Sequence, residues 1–377
     1  MAFNNDITAE VRHWKKPRQR SNYVIQIQNH TGVVSDPSYA VTPTYSQKLE
    51  KYYNQKYGQV ITPIAILKSL SVISSTFRDN VKIWVLHVAP SRQLKSKTSE
   101  EQTRIFTKKK LVYAGSDFTI HGLEKEYGDK INNKCLMIND LTLLLASKAT
   151  RTKSRLIDGL SELASEGLYI YSDWQGTKII KARFSLIANI TPTPYLRNRR
   201  TLLENTFANR CLIVYHQLTE EEMSEANLNR ESRNSMKIER FKQTLHERDI
   251  KITRDDLVRF NEYAKRWRIL GAYTSSSAVF DMIKSVTVAY AILSGHDKIS
   301  SEEYRLLDML ELHVRSPFEN VKLMILELAY QGRSIRDICL ILDRDYEKYR
   351  PYVSRVIKEY RTSGILPSSF SKAERSL

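Results

Sequence analysis

The sequence predicts an α/β fold: a parallel sheet buried on both faces, a helical region after it, and a small helical domain at the carboxyl end. Three observations within residues 134–219 carry that prediction. Two four-residue apolar runs, Cys135–Ile138 and 184–187, lack the polar alternation of a half-exposed strand, as strands covered on both faces do. Each run delivers polar groups to its carboxyl end, Asn139-Asp140 after the first and Asn189 after the second. In open α/β sheets that edge is where ligands bind. Between the runs lie a helix-period segment, 152–163, and a hairpin-like unit, 168–180, turning around Trp174-Gln175-Gly176.

From the amino end, residues 1–59 form a basic arm and a helical lead-in. Arg12, His13, Trp14, Lys15, Lys16, Arg18 and Arg20 crowd together ahead of a strand-like patch, Tyr23-Val24-Ile25-Gln26-Ile27. Such an arm is either solvated or holds nucleic acid. Leu49, Tyr52, Tyr53 and Tyr57, then Ile64, Leu67, Leu70 and Ile73, recur near a 3.6-residue period, with Pro63 suited to the first turn of the second helix. A core follows over 60–218. Residues 81–88 make a strand, and residues 91–98 after it read S-x-x-x-x-S-K-T. Against the phosphate-loop pattern G-x-x-x-x-G-K-[ST], Lys97 and Thr98 stand in place while Ser91 and Ser96 replace the glycines. Those glycines let the backbone take positive φ and turn its N–H groups to the phosphates.

The composition narrows the partners. A net charge of +17, interleaved with 21 Tyr, 11 Phe and 4 Trp, favours an anionic partner, above all nucleic acid. Cys135, Cys211 and Cys339 lie inside apolar runs without metal-like spacing and read as small buried hydrophobes in a reducing compartment. No apolar run approaches the roughly 20 residues of a membrane span, and the amino end has no apolar signal core. The expectation is an intracellular, soluble, cytoplasmic protein with no membrane attachment.

The order of these features resembles the core of an AAA+ type P-loop ATPase. The inserted helix and hairpin look like those of MoxR-type ATPases and minichromosome-maintenance helicases. The closing phrase NTFANRCLIVYHQLTEEE, residues 205–222, is similar to ATPases encoded by phages and plasmids. The resemblance implies ATP and Mg²⁺ as ligands. Ser91, Ser96 and Lys97 would line the phosphates, Thr98 and Asp140 would hold the metal, and Asn189 would orient the attacking water. Arg210, or one of Arg197, Arg199 and Arg200, would neutralise transition-state charge across the subunit interface of a ring-shaped homo-oligomer. Lys178 and Lys181, with Arg183, Tyr169, Tyr171 and Trp174, would turn the hairpin toward a nucleic-acid strand; a solvated hairpin is the other reading of the same residues.

A helical lid over 219–316 is also implied, with Ser275, Ser276 and Ser277 where a second arginine sensor would stand. The charged start of this region, 219–257, reads as either a long exposed helix or a linker. Residues 317–367 have a helix-turn-helix or winged-helix rhythm, with Ser334 and Asp337 spaced as a capping box. Arg344, Lys348, Arg350, Arg355 and Lys358 lie on or before its last helix, as DNA contact requires. Residues 368–377 read as a disordered tail.

The leading expectation is a nucleic-acid-associated AAA+ type ATPase, helicase-like or a replication or mobile-element motor, coupling nucleotide binding or hydrolysis to DNA remodelling. Two others stay open: a DNA-binding or assembly subunit with a decayed nucleotide site, and a basic transcription regulator. A serine forced to positive φ costs on the order of 1 kcal/mol. Two such serines would weaken nucleotide binding tenfold or more, at about 1.4 kcal/mol per decade.

Overall fold

The computed structural model describes residues 43–114, 122–123, 125, 128–142, 145, 150–173, 176–204, 207–232, 236–270, 275–314, 325, 329, 334–341 and 345–362. The basic arm, the hairpin turn at Trp174-Gln175, Arg344 and the carboxyl tail lie outside the described residues.

Two helices precede the first strand, as the 3.6-residue period predicts. Helix α1, Tyr45–Tyr57, starts at a capping box in which Thr44 and Gln47 satisfy each other's backbone N–H groups. It ends at Gly58, whose φ of +84° suits a residue without Cβ. Helix α2, Thr62–Ser74, has Pro63 in its first turn and every residue buried. Then come strand β1, Trp84–Val88, short helices α3, Lys95–Glu100, and α4, Gln102–Ile105, and strands β2, Leu111–Ala114, and β3, Cys135–Ile138.

Helix α5, Thr150–Glu166, leads into the hairpin of β4, Leu168–Asp173, and β5, Gly176–Lys181. Strand β6, Ser185–Ile190, helices α6, Pro192–Glu204, and α7, Phe207–Arg210, and strand β7, Cys211–Tyr215, complete the sheet region. Five strands form one parallel sheet in the order β2-β3-β6-β1-β7. The α/β class and the buried parallel sheet are therefore present, and the strands within 81–88, 135–138 and 184–187 lie side by side.

Both faces of the sheet are covered, which is why β1, β3 and β7 are buried along their whole length. Alternation along β1 sends Trp84 to one face, stacked on Phe184 at 5.2 Å and edge-on to Phe207 at 6.0 Å. His87 points to the other face, as does its register neighbour Asn189 on β6, beneath α2. Ser71 of α2 fastens that layer by donating to Ile83 O at 2.8 Å and Leu186 O at 3.2 Å.

The region after the sheet is built differently from either expectation for 219–257. Helix α8 covers only Glu220–Ser232, and from Met236 the chain runs extended along the core. Met236, Ile238, Phe241 and Leu245 pack inward, so apolar contact holds the strap where an exposed helix or linker had been expected. Its backbone is tied down by Tyr45 Oη to Glu239 O at 2.6 Å and by Phe241 N to Ile105 O at 2.9 Å. Glu247 then accepts from the backbone N–H groups of Arg78, Asp79 and Asn80.

Helices α9, Arg254–Leu270, α10, Ser276–Ser294, and α11, Ser301–Val314, share one hydrophobic core with the sheet and α2. Among the described residues α10 is the one helix long and apolar enough to cross a membrane, and 67% of that stretch is buried. All three cysteines are free and buried. Near the carboxyl end, helices α12, Ile335–Ile341, and α13, Tyr346–Thr362, form a second small core around Ile338, Val353 and Val356. The expected capping box is there, with Ser334 Oγ donating to Asp337 at 2.8 Å and accepting from Asp337 N at 3.1 Å.

The same substitution should separate core from surface. Ile187→Ala, on fully buried β6, should lower stability by about 2–5 kcal/mol in urea unfolding. Ile179→Ala, 53% exposed on the hairpin, should stay within about 0.5 kcal/mol.

Candidate functional site

The carboxyl edge of the sheet collects the loop after β1, Asp140 after β3, Thr191 after β6 and His216 after β7. The lysine that folds over the loop is Lys95, two residues before the lysine of the S-x-x-x-x-S-K-T pattern. Lys97 is on the outer side of α3, 53% exposed and paired with Glu100 at 2.9 Å. Thr98 is buried, its hydroxyl bonded to Leu94 O and Lys95 O within the helix. Neither faces the loop. Lys95 does: its ammonium folds back over the loop, donating to Ala89 O at 2.5 Å and Pro90 O at 2.6 Å. Burial pushes its pKa down to about 8, and the negative charge of Asp140 works in the opposite direction.

The backbone makes the same correction. Ser91 is exposed and Ser96 half-buried, and neither has positive φ. The left-handed residues are Arg92, φ +64°, and Leu94, φ +62°. Among the described residues only Asn133 otherwise takes positive φ without being glycine, so this strain concentrates in one loop. Read from Ala89, the sequence is A-x-x-x-x-L-K-S, the phosphate-loop spacing directly after the strand with Ala89 and Leu94 at the glycine positions. The signal was legible, but a buried leucine is a poor substitute for glycine by side-chain preference, and two serines two residues later look closer.

Asp140 stands where expected, exposed at the end of β3, its Oδ1 accepting from Thr142 N at 2.8 Å. Asn189 does not reach the edge. It is fully buried, with Oδ1 accepting from Lys68 Nζ at 3.0 Å and Nδ2 donating to Ser99 Oγ at 3.1 Å. Two residues on, Thr191 takes the edge position, its hydroxyl 3.2 Å from that of Thr142.

Arg210 is exposed just before β7, whose first residue pairs with the first residue of β1. It therefore lies at the amino edge, about 16 Å of strand from the loop, and cannot serve the loop of its own chain. Arg197 and Arg200 are on α6; Arg197 is exposed, and the side chain of Arg200 is outside the described residues. Ser275 caps α10, accepting from Ala278 N at 3.3 Å, which accounts for a serine at that position.

On the hairpin, Lys178 lies opposite Tyr171 and is half-buried, while Lys181 lies opposite Leu168 and is exposed. On α13, Lys348, Arg350, Arg355 and Lys358 are exposed, and Val353, Val356 and Ile357 are buried on the other side. Arg350 sits over the Tyr346 ring at 5.8 Å.

Beneath the loop is a buried polar layer that the sequence reading missed. His87 Nε2 and His216 Nδ1 are 2.7 Å apart, and His216 Nε2 bonds Gln93 O at 2.8 Å. Gln93 in turn grips Leu218, accepting from its N at 3.0 Å and donating to its O at 3.2 Å. His313 Nδ1 bonds Tyr215 O at 3.1 Å. The loop is thereby latched to the chain just after β7. No protein-family model matches this chain, and no curated protein matches it.

Burial holds all three histidines below their ordinary pKa, His216 down to about 3, so they are neutral in the fold. The unfolded chain takes up their protons near pH 6.5, so the folded state should lose stability as pH falls below that value. The expected slope is up to about 1.4 kcal/mol per pH unit for each histidine. Urea unfolding at pH 7.5 and pH 5 checks it, and His216→Asn should flatten the dependence.

Proposed function

We propose that this chain is a nucleic-acid-associated P-loop protein of the AAA+ type, holding the phosphates of a nucleoside triphosphate against Lys95 and binding DNA through α13. The observation that carries the reading is that Lys95, folded over a loop with alternating left-handed residues, lies within electrostatic reach of Asp140 at the carboxyl edge of a parallel sheet. Such backbone turns form concavities that accept anions. A half-desolvated ammonium supplies the charge. Asp140, the hydroxyl of Ser96 that follows Lys95 in sequence, and the nucleotide's own phosphates would suit Mg²⁺, a hard cation that takes one or two carboxylates and keeps several waters. When bound, Mg²⁺ would offset charge on the phosphates. Lys95 would turn from Ala89 O and Pro90 O to the phosphate oxygens, and Thr191 would stand near the terminal phosphate.

A second reading is favoured by two specific placements. Asn189 is locked beneath α3 and Ser275 is occupied as a helix cap, so neither is available to nucleotide. On that reading the chain binds nucleotide weakly without turning it over and acts as a DNA-binding assembly subunit. Turnover of Mg-ATP in the presence of DNA decides between the two. Assembly into a ring, with Arg197, Arg200 or Arg210 completing a neighbour's site, belongs to the first reading alone.

The register of the loop gives a sharp test. Lys95→Ala should weaken Mg-ATP binding at least about tenfold, or 1.4 kcal/mol, and Lys97→Ala should leave it unchanged in calorimetric titration. Equal losses would sink the assignment. Because Lys95 loses its proton near pH 8, affinity should also decline as pH rises through 8.

For DNA, binding should fall steeply with salt as counterions are released. Lys348→Ala and Arg355→Ala should each reduce the slope of log K against log salt by about one. A salt-insensitive affinity would count against nucleic acid as the partner.

A further inference from the structure

Helix α2 is buried on every side, yet it carries one lysine. Lys68 has no exposed surface, and its ammonium meets four oxygens: Lys95 O at 2.8 Å, Thr98 Oγ1 at 2.9 Å, Ser99 Oγ at 2.9 Å and Asn189 Oδ1 at 3.0 Å. Three of the four belong to α3, whose first residue is Lys95, and the fourth belongs to β6. Thr98 and Ser99 also donate to Lys95 O, at 2.9 and 3.1 Å, so three side chains converge on that one carbonyl. Asn189 closes the ring by donating to Ser99.

We propose that Lys68 is a positioning residue of the phosphate site, pinning the main chain of Lys95 from below so that its side chain is delivered to the loop and to Asp140. The proposal rests on the reading of Lys95 as the phosphate-binding lysine. Lys68 itself is sealed from the edge by α3 and touches no ligand. Its effect is geometric. Residue 95 is held to the middle of the sheet through Asn189, and α3 is held to the core through α2. A displaced ammonium that loses one charge-assisted hydrogen bond to phosphate binds on the order of tenfold more weakly or worse. The same network gives Asn189 a role other than contact with phosphate or water: it is the sheet's anchor for the helix that bears the lysine.

A lysine that only stabilises the core would give a different result from one that positions the site. Lys68→Met leaves Asn189 Oδ1 without its donor and takes one of three donors from Lys95 O, so it lowers stability on either account. Adding Asn189→Leu removes an orphaned amide and fills the space with carbon, which restores stability when both partners are replaced together. The experiment measures Mg-ATP affinity and urea unfolding on the full chain for wild type, Lys68→Met, Lys68→Met/Asn189→Leu and Lys95→Ala.

The expected result is a loss of about tenfold or more in affinity in both Lys68 variants, with stability regained only in the double one. Affinity that returns with stability, or a folded Lys68→Met that binds like wild type while Lys95→Ala does not, would overturn the positioning role. Lys95→Ala binding like wild type would remove the phosphate site and this proposal with it. Should Lys68→Met fail to fold, Ser99→Ala removes one link of the network. It should weaken binding about twofold to fivefold with a smaller loss of stability than Lys68→Met, and unchanged affinity in that variant would overturn the proposal equally.

Discussion

A helix without a solvent face has nowhere to put a charge, and this fold is arranged around that constraint. Helix α2 lies between the sheet and the helices beyond it, and Lys68 near its middle is fully enclosed. An ammonium taken out of water loses several kcal/mol of hydration unless polar groups replace it. Here the replacement is made of neutral oxygens, one from the sheet and three from α3. Burial pushes the pKa of Lys68 well down, with the neighbouring charge of Lys95 acting in the same direction. The stack of sheet, α2 and α3 is therefore coupled: displacing any one layer leaves buried donors or acceptors without partners.

The consequences run outward from that layer. Asn189 and His87 are register neighbours on the face that α2 covers. The polar residues of β1 and β6 are thus drawn inward, and the edge above them is left to Lys95, Asp140, Thr142 and Thr191. Neutral histidines suit this setting. A charged imidazole beside Lys68 and Lys95 would add repulsion to desolvation, and both effects hold His87 unprotonated. The buried polar layer thus sets the shape of the edge.

Much of the architecture was legible because apolar runs and helical periods report burial directly. The runs within 135–138 and 184–187, Pro63 in a first turn, and Ser334 with Asp337 all depend on local rules and all appear in the structure. The site was legible only in part. Asp140 could be placed from strand-end position alone, because one parallel strand delivers one edge residue. Lys95 and Asn189 could not, since which of two nearby residues faces the edge depends on where β1 stops and how α3 rotates. Lys68 left a trace in the sequence, a single lysine in the run I-A-I-L-K-S-L-S-V-I. An apolar helix with no polar face predicts that such a lysine is buried, but its partners are more than 25 residues away along the chain. The strap from Met236 to Leu245 was misread for a related reason: a charged segment with alternating apolar residues keeps its charges in water while its alternate side chains reach the core.

The loop itself poses the remaining physical question, which is how left-handed backbone, the conformation glycine adopts most readily, is held by arginine and leucine. Left-handed backbone at a residue with a Cβ costs roughly 1–2 kcal/mol, so Arg92 and Leu94 need compensation from outside the loop. It comes from three sides. Leu94 is buried at 4% exposure, so its side chain contributes packing that a glycine could not. Gln93, between the two strained residues, is held by both backbone groups of Leu218 and by His216. Lys95 closes the mouth by bonding the carbonyls of Ala89 and Pro90. The third contact must break if Lys95 is to reach a phosphate. A loop held by tertiary contacts is less free to adapt than one made of glycine, so the segment following β7 becomes part of the loop's support. The geometry of Lys95 then depends on two attachments, Lys68 below and Leu218 beside, neither of which a short phosphate-loop pattern contains.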